Sequence, residues 1–319
     1  MRARTPPLPP TRLLRGLAAP VCTLLLVACG GADAMQELGP VPDFDAGRAW
    51  RHLEALVAIG PRQSGTPGAE QAREYIAGEL RAAGLEPVRE AFTADTPVGP
   101  LAMANLYADL PAAGSAAAPL VILCSHYDTK RFDFEFVGAN DGASSTGVLL
   151  ELARALAGRA NPVRYRILFL DGEESVREKW RDPDNRYGSR HHARGLVERG
   201  EVPQVGACVL LDMIGDRDLQ LTSEQYSDPK LLAAFFDAAR GLGVSACIDG
   251  PREPVKDDHL SFMAVGIRSV DLIDIDYGPN NDYWHSPEDT IDKVSRESLD
   301  HIGRIVLHGL PRVEALVAR

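Results

Sequence analysis

The order of residues predicts an α/β fold, a mostly parallel central sheet with helices on both faces. Three observations predict it. Short apolar runs alternate along the chain with amphipathic stretches of helical period, the pattern of strand–helix units that build a parallel sheet. The runs at 120–124, 166–170 and 208–211 are almost free of polar residues, as strands covered on both faces are. His, Asp and Glu clusters directly follow these runs, and open α/β sheets bind ligands at the carboxyl ends of their strands.

Taken in order, a helix is predicted over 46–58, with Trp50, Leu53, Leu56 and Val57 on one face and Gly60-Pro61 ending it. Thr66-Pro67 opens a second helix, with Ala72, Ile76 and Leu80 at helical spacing and Gly84 just past its end. Strands follow at 88–92, 103–107 and 120–124, with the stretch 112–119 (AAGSAAAP) as a surface loop. A helix over 142–157 carries Val148, Leu149, Leu152 and Leu156. Then come a strand at 166–170, a helix at 189–197, a strand at 205–211, a helix at 229–242, a strand at 269–273 and a closing helix at 296–317.

The first residues read as an export leader. Arg2, Arg4, Arg12 and Arg15 form a positive start, with no acid before Asp33. The apolar stretch 17–28 is too short to span a bilayer comfortably and suits the middle of a signal peptide. It ends Leu26-Val27-Ala28-Cys29, which resembles the bacterial lipobox, whose cysteine becomes a lipidated N-terminus. Gly30 rather than Asp after that cysteine favours the outer membrane. The expected organisation is a leader at 1–28, a tether at 29–45 and one catalytic domain at 46–319, periplasmic or surface-facing, touching membrane only through a lipid anchor at Cys29.

The chain carries a formal charge of −11. Loss of the leader would remove four arginines and no acid, making it more acidic still. With no cluster of Lys and Arg to offset this, nucleic acid and anionic lipid are excluded as partners. Of the cysteines beyond the leader and anchor, Cys124 and Cys208 sit inside strand runs and read as small buried hydrophobes; the pairing of Cys124, Cys208 and Cys247 is left open. Nothing resembles a thiolate metal site.

The chemistry lies in His126 and Asp128 of LVILCSHYD, Asp141 of GAND, Glu173-Glu174 of ILFLDGEE, Asp212 of VLLDMIG and His285 of YWHSPED. Each has a plainer reading alone. Asp141 at a helix start could be an N-cap, paired acids are usually solvated, and a lone histidine is more often packing than ligand. Together, at the ends of parallel strands, they converge as a metal site. Two adjacent carboxylates there can divide labour, one ligating and one moving protons.

The order His-x-Asp, Asp, Glu-Glu, Asp, His resembles the zinc aminopeptidase-like superfamily, and further details resemble its glutaminyl-peptide cyclotransferases (glutaminyl cyclases). These are SHYDTK at 125–130, FVGAND at 136–141, LLELARAL at 149–156, Trp180 after the paired glutamates, Asp184 with the YGSRH segment at 187–191, DDH at 257–259 and Trp284-His285. The resemblance implies one Zn²⁺ held by Asp141, Glu174 and His285. It implies Glu173 as general acid/base, Asp212 and Asp258 in the proton network, Trp180 and Trp284 as pocket walls, and peptides with N-terminal glutamine as substrates. The disulfide of the animal enzymes is absent, since GASSTG at 142–147 offers no cysteine. With His126 and Asp212 both present, a two-zinc aminopeptidase is the alternative reading, and a non-catalytic peptide-binding lipoprotein a remote one.

Overall fold

The computed structural model describes Pro7 and residues 41–318. The leader, Cys29 and all but the end of the 29–45 tether lie outside the described residues. Six strands, β1 (Val88–Thr96), β2 (Gly99–Leu110), β3 (Leu120–His126), β4 (Arg164–Leu170), β5 (Val205–Asp212) and β6 (Ser269–Ile273), form a sheet in the order β1-β2-β4-β3-β5-β6. β3 to β6 pair in parallel, while β1 and β2 are an antiparallel hairpin at one edge. The helices are α1 (Ala46–Ile59), α2 (Pro67–Ala82), α3 (Ala143–Ala157), α4 (Tyr187–Glu198), α5 (Pro229–Leu242), α6 (His259–Met263) and α7 (Arg296–Val317).

The central strands alternate sides and are apolar on both. Val121, Leu123, Ile167, Phe169, Val209 and Leu211 join the larger core under α1, α3, α5 and α7. Ile122, Cys124, Leu168, Leu170, Cys208 and Leu210 face the opposite way, packing on Ala193 and Leu196 of α4 and Phe262 of α6. Each fully buried aliphatic side chain contributes roughly 1.5–3 kcal/mol to that packing. Helix starts are set by side-chain caps: Asp45 accepts from the Arg48 N–H, Thr66 from Ala69, Asp228 from Lys230 and Leu231, and Ser295 from Ser298. Such caps are worth about 1 kcal/mol apiece. Cys124 and Cys208 are buried, free and 3.6 Å apart at sulfur.

Three features depart from the sequence expectation. β1 and β2 run on to a tight hairpin, Thr96 facing Gly99; their outer halves are solvated, so the apolar pattern fades while the ladder continues. α6 is too short for helical periodicity to reveal it. And the last tether residues belong to the domain: Val41 and Phe44 pack on the core, the Phe44 ring lying so close over Gly303 that a Cβ there would meet it at 2.4 Å.

β3 lies between β4 and β5. The chain leaves it for β4 through α3 on one face, then crosses to β5 through α4 on the other. The crevice beyond its carboxyl end is the topological switch point of the sheet. Among the described residues no helix is long and apolar enough to cross a membrane.

Candidate active site

Four strand ends and two loops deliver side chains to that crevice. His126 is the last residue of β3 and is fully buried. Its Nε2 lies 3.1 Å from Asp212 Oδ1, at the end of β5, and 3.2 Å from Asp141 Oδ1. Asp141 precedes Gly142 (φ +92°), where a Cβ would come within 2.8 Å of the Asp128 carbonyl and 3.2 Å of the His126 ring. Only glycine lets the loop pass that close. After β5, Met213 turns the chain with φ +47°, a costly conformation for a residue with a side chain.

The other oxygen of Asp141 lies 3.3 Å from His285 Nε2, which also sits 3.0 Å from Glu174 Oε1. His285 itself has φ +52° and stacks on Trp284, ring centres 4.1 Å apart, with Phe132 and Phe136 edge-on. The backbone N–H groups of Glu173 and Glu174 both donate to the Asp128 carboxylate, at 3.1 and 3.3 Å. Asp128 thus fixes the glutamate pair rather than the histidine, since His126 Nδ1 is 3.6 Å from it and lacks a hydrogen bond. The buried Lys130 ammonium holds Glu174 Oε2 at 3.3 Å, leaving Oε1 free to face His285.

The donors fit a divalent cation. One imidazole nitrogen between two carboxylate oxygens can donate to only one of them as an imidazolium, whereas a cation among Asp141, Glu174 and His285 satisfies all three. The chemistry of the set, two carboxylates and an imidazole, suits zinc with a position left for substrate. His126, Asp141 and Asp212 form a second group of ligand atoms within 4.8 Å of one another. Without a cation, the facing carboxylates raise His285 to about 9 against the opposing effect of burial.

A cavity of about 520 Å³ opens on this cluster, lined by Trp180, Trp284, Met213, Val255, Ile273 and Ile275 together with Glu173 and Asp257. Glu173 is buried, and among the described residues its carboxyl oxygens make no hydrogen bond to protein. Burial, reinforced by Glu174 and Asp257, pushes it well above the usual carboxyl range.

Residues 105–310 match peptidase family M28. The chain is 31% identical to the glutaminyl-peptide cyclotransferase-like protein of Bos taurus, over 83% of this chain and 75% of that one. It superposes on the glutaminyl cyclase of an Acidobacteriales bacterium with a TM-score of 0.80 at 34% identity, covering 87% of this chain and 96% of the other. The chain belongs to peptidase family M28, in its glutaminyl cyclase branch. A protein described as a leucine aminopeptidase precursor from Bacteroides thetaiotaomicron shares the architecture, with a TM-score of 0.75 at 26% identity over 84% and 97% of the two chains.

Of the eight residues to which the resemblance gives a role, seven line the cavity: Asp141, Glu173, Glu174, Trp180, Asp212, Trp284 and His285. Asp258 does not. It is fully buried behind the wall, and its neighbour Asp257 faces the cavity instead. The pair lies at the start of α6, where one residue of register exchanges an inward for a cavity-facing side chain. Sequence also gave no signal for Asp289, whose carboxylate accepts the N–H groups of Asn140 and Asp141, although it closes the same YWHSPED segment that carries His285.

Proposed function

We propose that this chain converts N-terminal glutamine of peptides to pyroglutamate with release of ammonia, with one Zn²⁺ held by Asp141, Glu174 and His285. The observation that carries the reading is Glu173: a buried carboxyl with no protein partner, facing the cavity one residue from Glu174. When bound, the zinc ion would supply Lewis acidity to the side-chain carbonyl. The α-amino nitrogen attacks that carbonyl carbon, a C–N bond forms, and the bond to the side-chain amide nitrogen breaks. Glu173 takes a proton from the attacking amine and returns it to the departing nitrogen, which leaves as ammonia. A carboxyl whose affinity for protons is raised by burial suits both halves of that task. Trp180 and Trp284 receive the glutamine side chain and keep out water, which would otherwise compete as nucleophile. Asp212 and Asp257 flank the proton path, and Asp258 backs them from the interior.

The test follows products. Purified protein incubated with Gln-led and Leu-led dipeptides should release ammonia from the first and no free amino acid from either. Release of free leucine or glutamine would replace the cyclase with an aminopeptidase.

The His126, Asp141 and Asp212 group favours one second reading, a two-metal aminopeptidase. Elemental analysis separates them: one equivalent of zinc that survives His126→Ala supports the cyclase site, and two equivalents falling to one supports the other. The same proposal places the protein on the outer membrane through Cys29. Cells given a fatty-acid analogue should label the wild type and not Cys29→Ser.

A further inference from the structure

Asp289 follows His285 by four residues and is almost wholly buried. Its carboxylate takes three donors from two other segments. Oδ1 accepts the Asn140 N–H at 2.7 Å and the Tyr277 hydroxyl at 2.9 Å, and Oδ2 accepts the Asp141 N–H at 3.1 Å. Tyr277 is itself fully buried, edge-on to Tyr283, so the third donor is held in place. Asn140 completes the bracing from the other side, its Oδ1 accepting the Gly215 N–H at 2.7 Å just past β5.

The contacts close a ring. Asp141 Oδ2 faces His285 Nε2 at 3.3 Å, the chain runs from His285 to Asp289, and Asp289 returns to the backbone of Asp141. Asn140 and Asp141 precede α3, where N–H groups have no helical carbonyl to meet, so Asp289 satisfies donors that the turn itself cannot. Asp128 grips Glu173 and Glu174 by the same two-N–H contact. The fold thus secures two of the three proposed ligand segments with a buried carboxylate from elsewhere in the chain.

We infer that Asp289 is a positioning residue that fixes the separation of Asp141 from His285 and thereby sets the affinity of the metal site. This rests on the metal-dependent reading above. Asp289 touches the backbone of Asn140 and Asp141 and the Tyr277 hydroxyl, not the ligand atoms, so its loss loosens the site without removing a ligand.

The test uses the full mature chain as Asp289→Asn and as Tyr277→Phe, which removes one of the three donors and spares the carboxylate. Zinc affinity is measured by competition with a chromophoric chelator, the visible spectrum with Co²⁺ bound at saturation, and the melting temperature of the metal-free protein. Asparagine offers one acceptor oxygen and turns an N–H₂ toward a backbone N–H. Asp289→Asn should therefore weaken zinc binding by roughly 10- to 100-fold and change the Co²⁺ spectrum, with metal-free melting altered little. Tyr277→Phe should weaken binding a few-fold. Unchanged zinc affinity and Co²⁺ spectrum in Asp289→Asn would overturn the inference, as would a loss that only tracks the unfolded fraction. Should Asp289→Asn fail to fold, Tyr277→Phe decides alone, and wild-type zinc affinity in it overturns the inference. Wild-type protein that binds neither zinc nor cobalt would instead defeat the metal reading itself.

Discussion

Two groups of buried acids lie side by side at the carboxyl edge of the sheet, and the fold holds them in opposite ways. Those that meet His285 are braced. Asp141 is anchored through Asp289, Glu174 through Asp128 and Lys130, and His285 by aromatic rings. Behind them, Asp258 and Asp271 are fully buried, and none of their carboxylate oxygens has a hydrogen-bond partner among the described residues. His259 stands between Glu224 and Asp271 with both ring nitrogens 3.5 Å from carboxylate oxygens and no aligned bond to either. In the braced group the contacts fix the backbone of Asp141 and Glu174, and so hold their carboxylates facing His285. The unbraced carboxyls have no such anchor, and burial disfavours their ionisation. Burial and neighbouring Asp257 push Asp258 to about 7, and Asp271 is displaced upward for the same reasons.

The largest effect tests the braced group. Alanine at Asp141, Glu174 or His285 should each strip the metal and lower turnover by about three orders of magnitude or more, since several kcal/mol of transition-state stabilisation go with the ion. Elemental analysis beside a glutamine-cyclisation assay checks it. Metal retained at full stoichiometry by any of the three would remove that residue from the ligand set.

Glu173 sits where the two groups meet, beside Glu174 yet unbraced at its carboxyl. Glu173→Gln should keep its zinc and fold and lose on the order of a hundredfold in kcat, with a smaller change in KM. Near-wild-type cyclisation by a zinc-loaded Glu173→Gln protein would leave the proton carrier unassigned.

For the unbraced group the expectation concerns stability. Asp258 has a folded-state pKa raised from an ordinary 3.8 to about 7. Between those values the folded state holds a proton that the unfolded state has released, so stability present at low pH is lost as pH rises through the folded pKa. Asp258→Asn keeps the shape and removes the ionisation. At pH 8 it should be more stable than wild type by on the order of 4 kcal/mol, an advantage that fades toward pH 4. Thermal melts of the metal-free proteins across that range check it, and a variant destabilised equally at both ends would show that Asp258 is braced after all.

The side chains that meet at the crevice were largely legible in the sequence, and the contacts that support them were not. Asp141, Glu173, Glu174, Asp212 and His285 announce themselves because each follows an apolar run or a turn, and strand ends of a parallel sheet converge by construction. Trp180 and Trp284 came through resemblance rather than pattern. The supports stayed hidden because they join residues remote in sequence: Asp289 to Asp141, Asp128 to Glu173, or the wholly buried Arg62, whose guanidinium donates to the carbonyls of Leu56, Gly60, Tyr127, Val137 and Gly138. An arginine so placed reads from sequence as surface charge. That Asp257 rather than Asp258 lines the cavity was hidden for a related reason, since two adjacent acids are equivalent until the start of α6 orients them. Strands and long helices were placed by their periodicity; the solvated hairpin end and the five-residue α6 carry none.

The smallest effect sharpens the boundary between binding and bracing at Trp284. This ring walls the cavity and stacks on His285, and 38% of the residue remains exposed. Removing it deletes apolar area from the proposed substrate pocket, about 1–1.5 kcal/mol for the part a substrate would cover. That corresponds to a KM raised roughly tenfold for Trp284→Ala, with kcat changed less. The stack also helps to keep His285 at its left-handed turn, so zinc affinity should fall by a few-fold. Trp284→Phe separates the two roles, because a smaller ring restores stacking more fully than pocket area. Zinc affinity should therefore recover further than KM in the phenylalanine variant. If KM recovers and zinc affinity does not, the ring serves the substrate alone, and Phe132 and Phe136 suffice to hold His285.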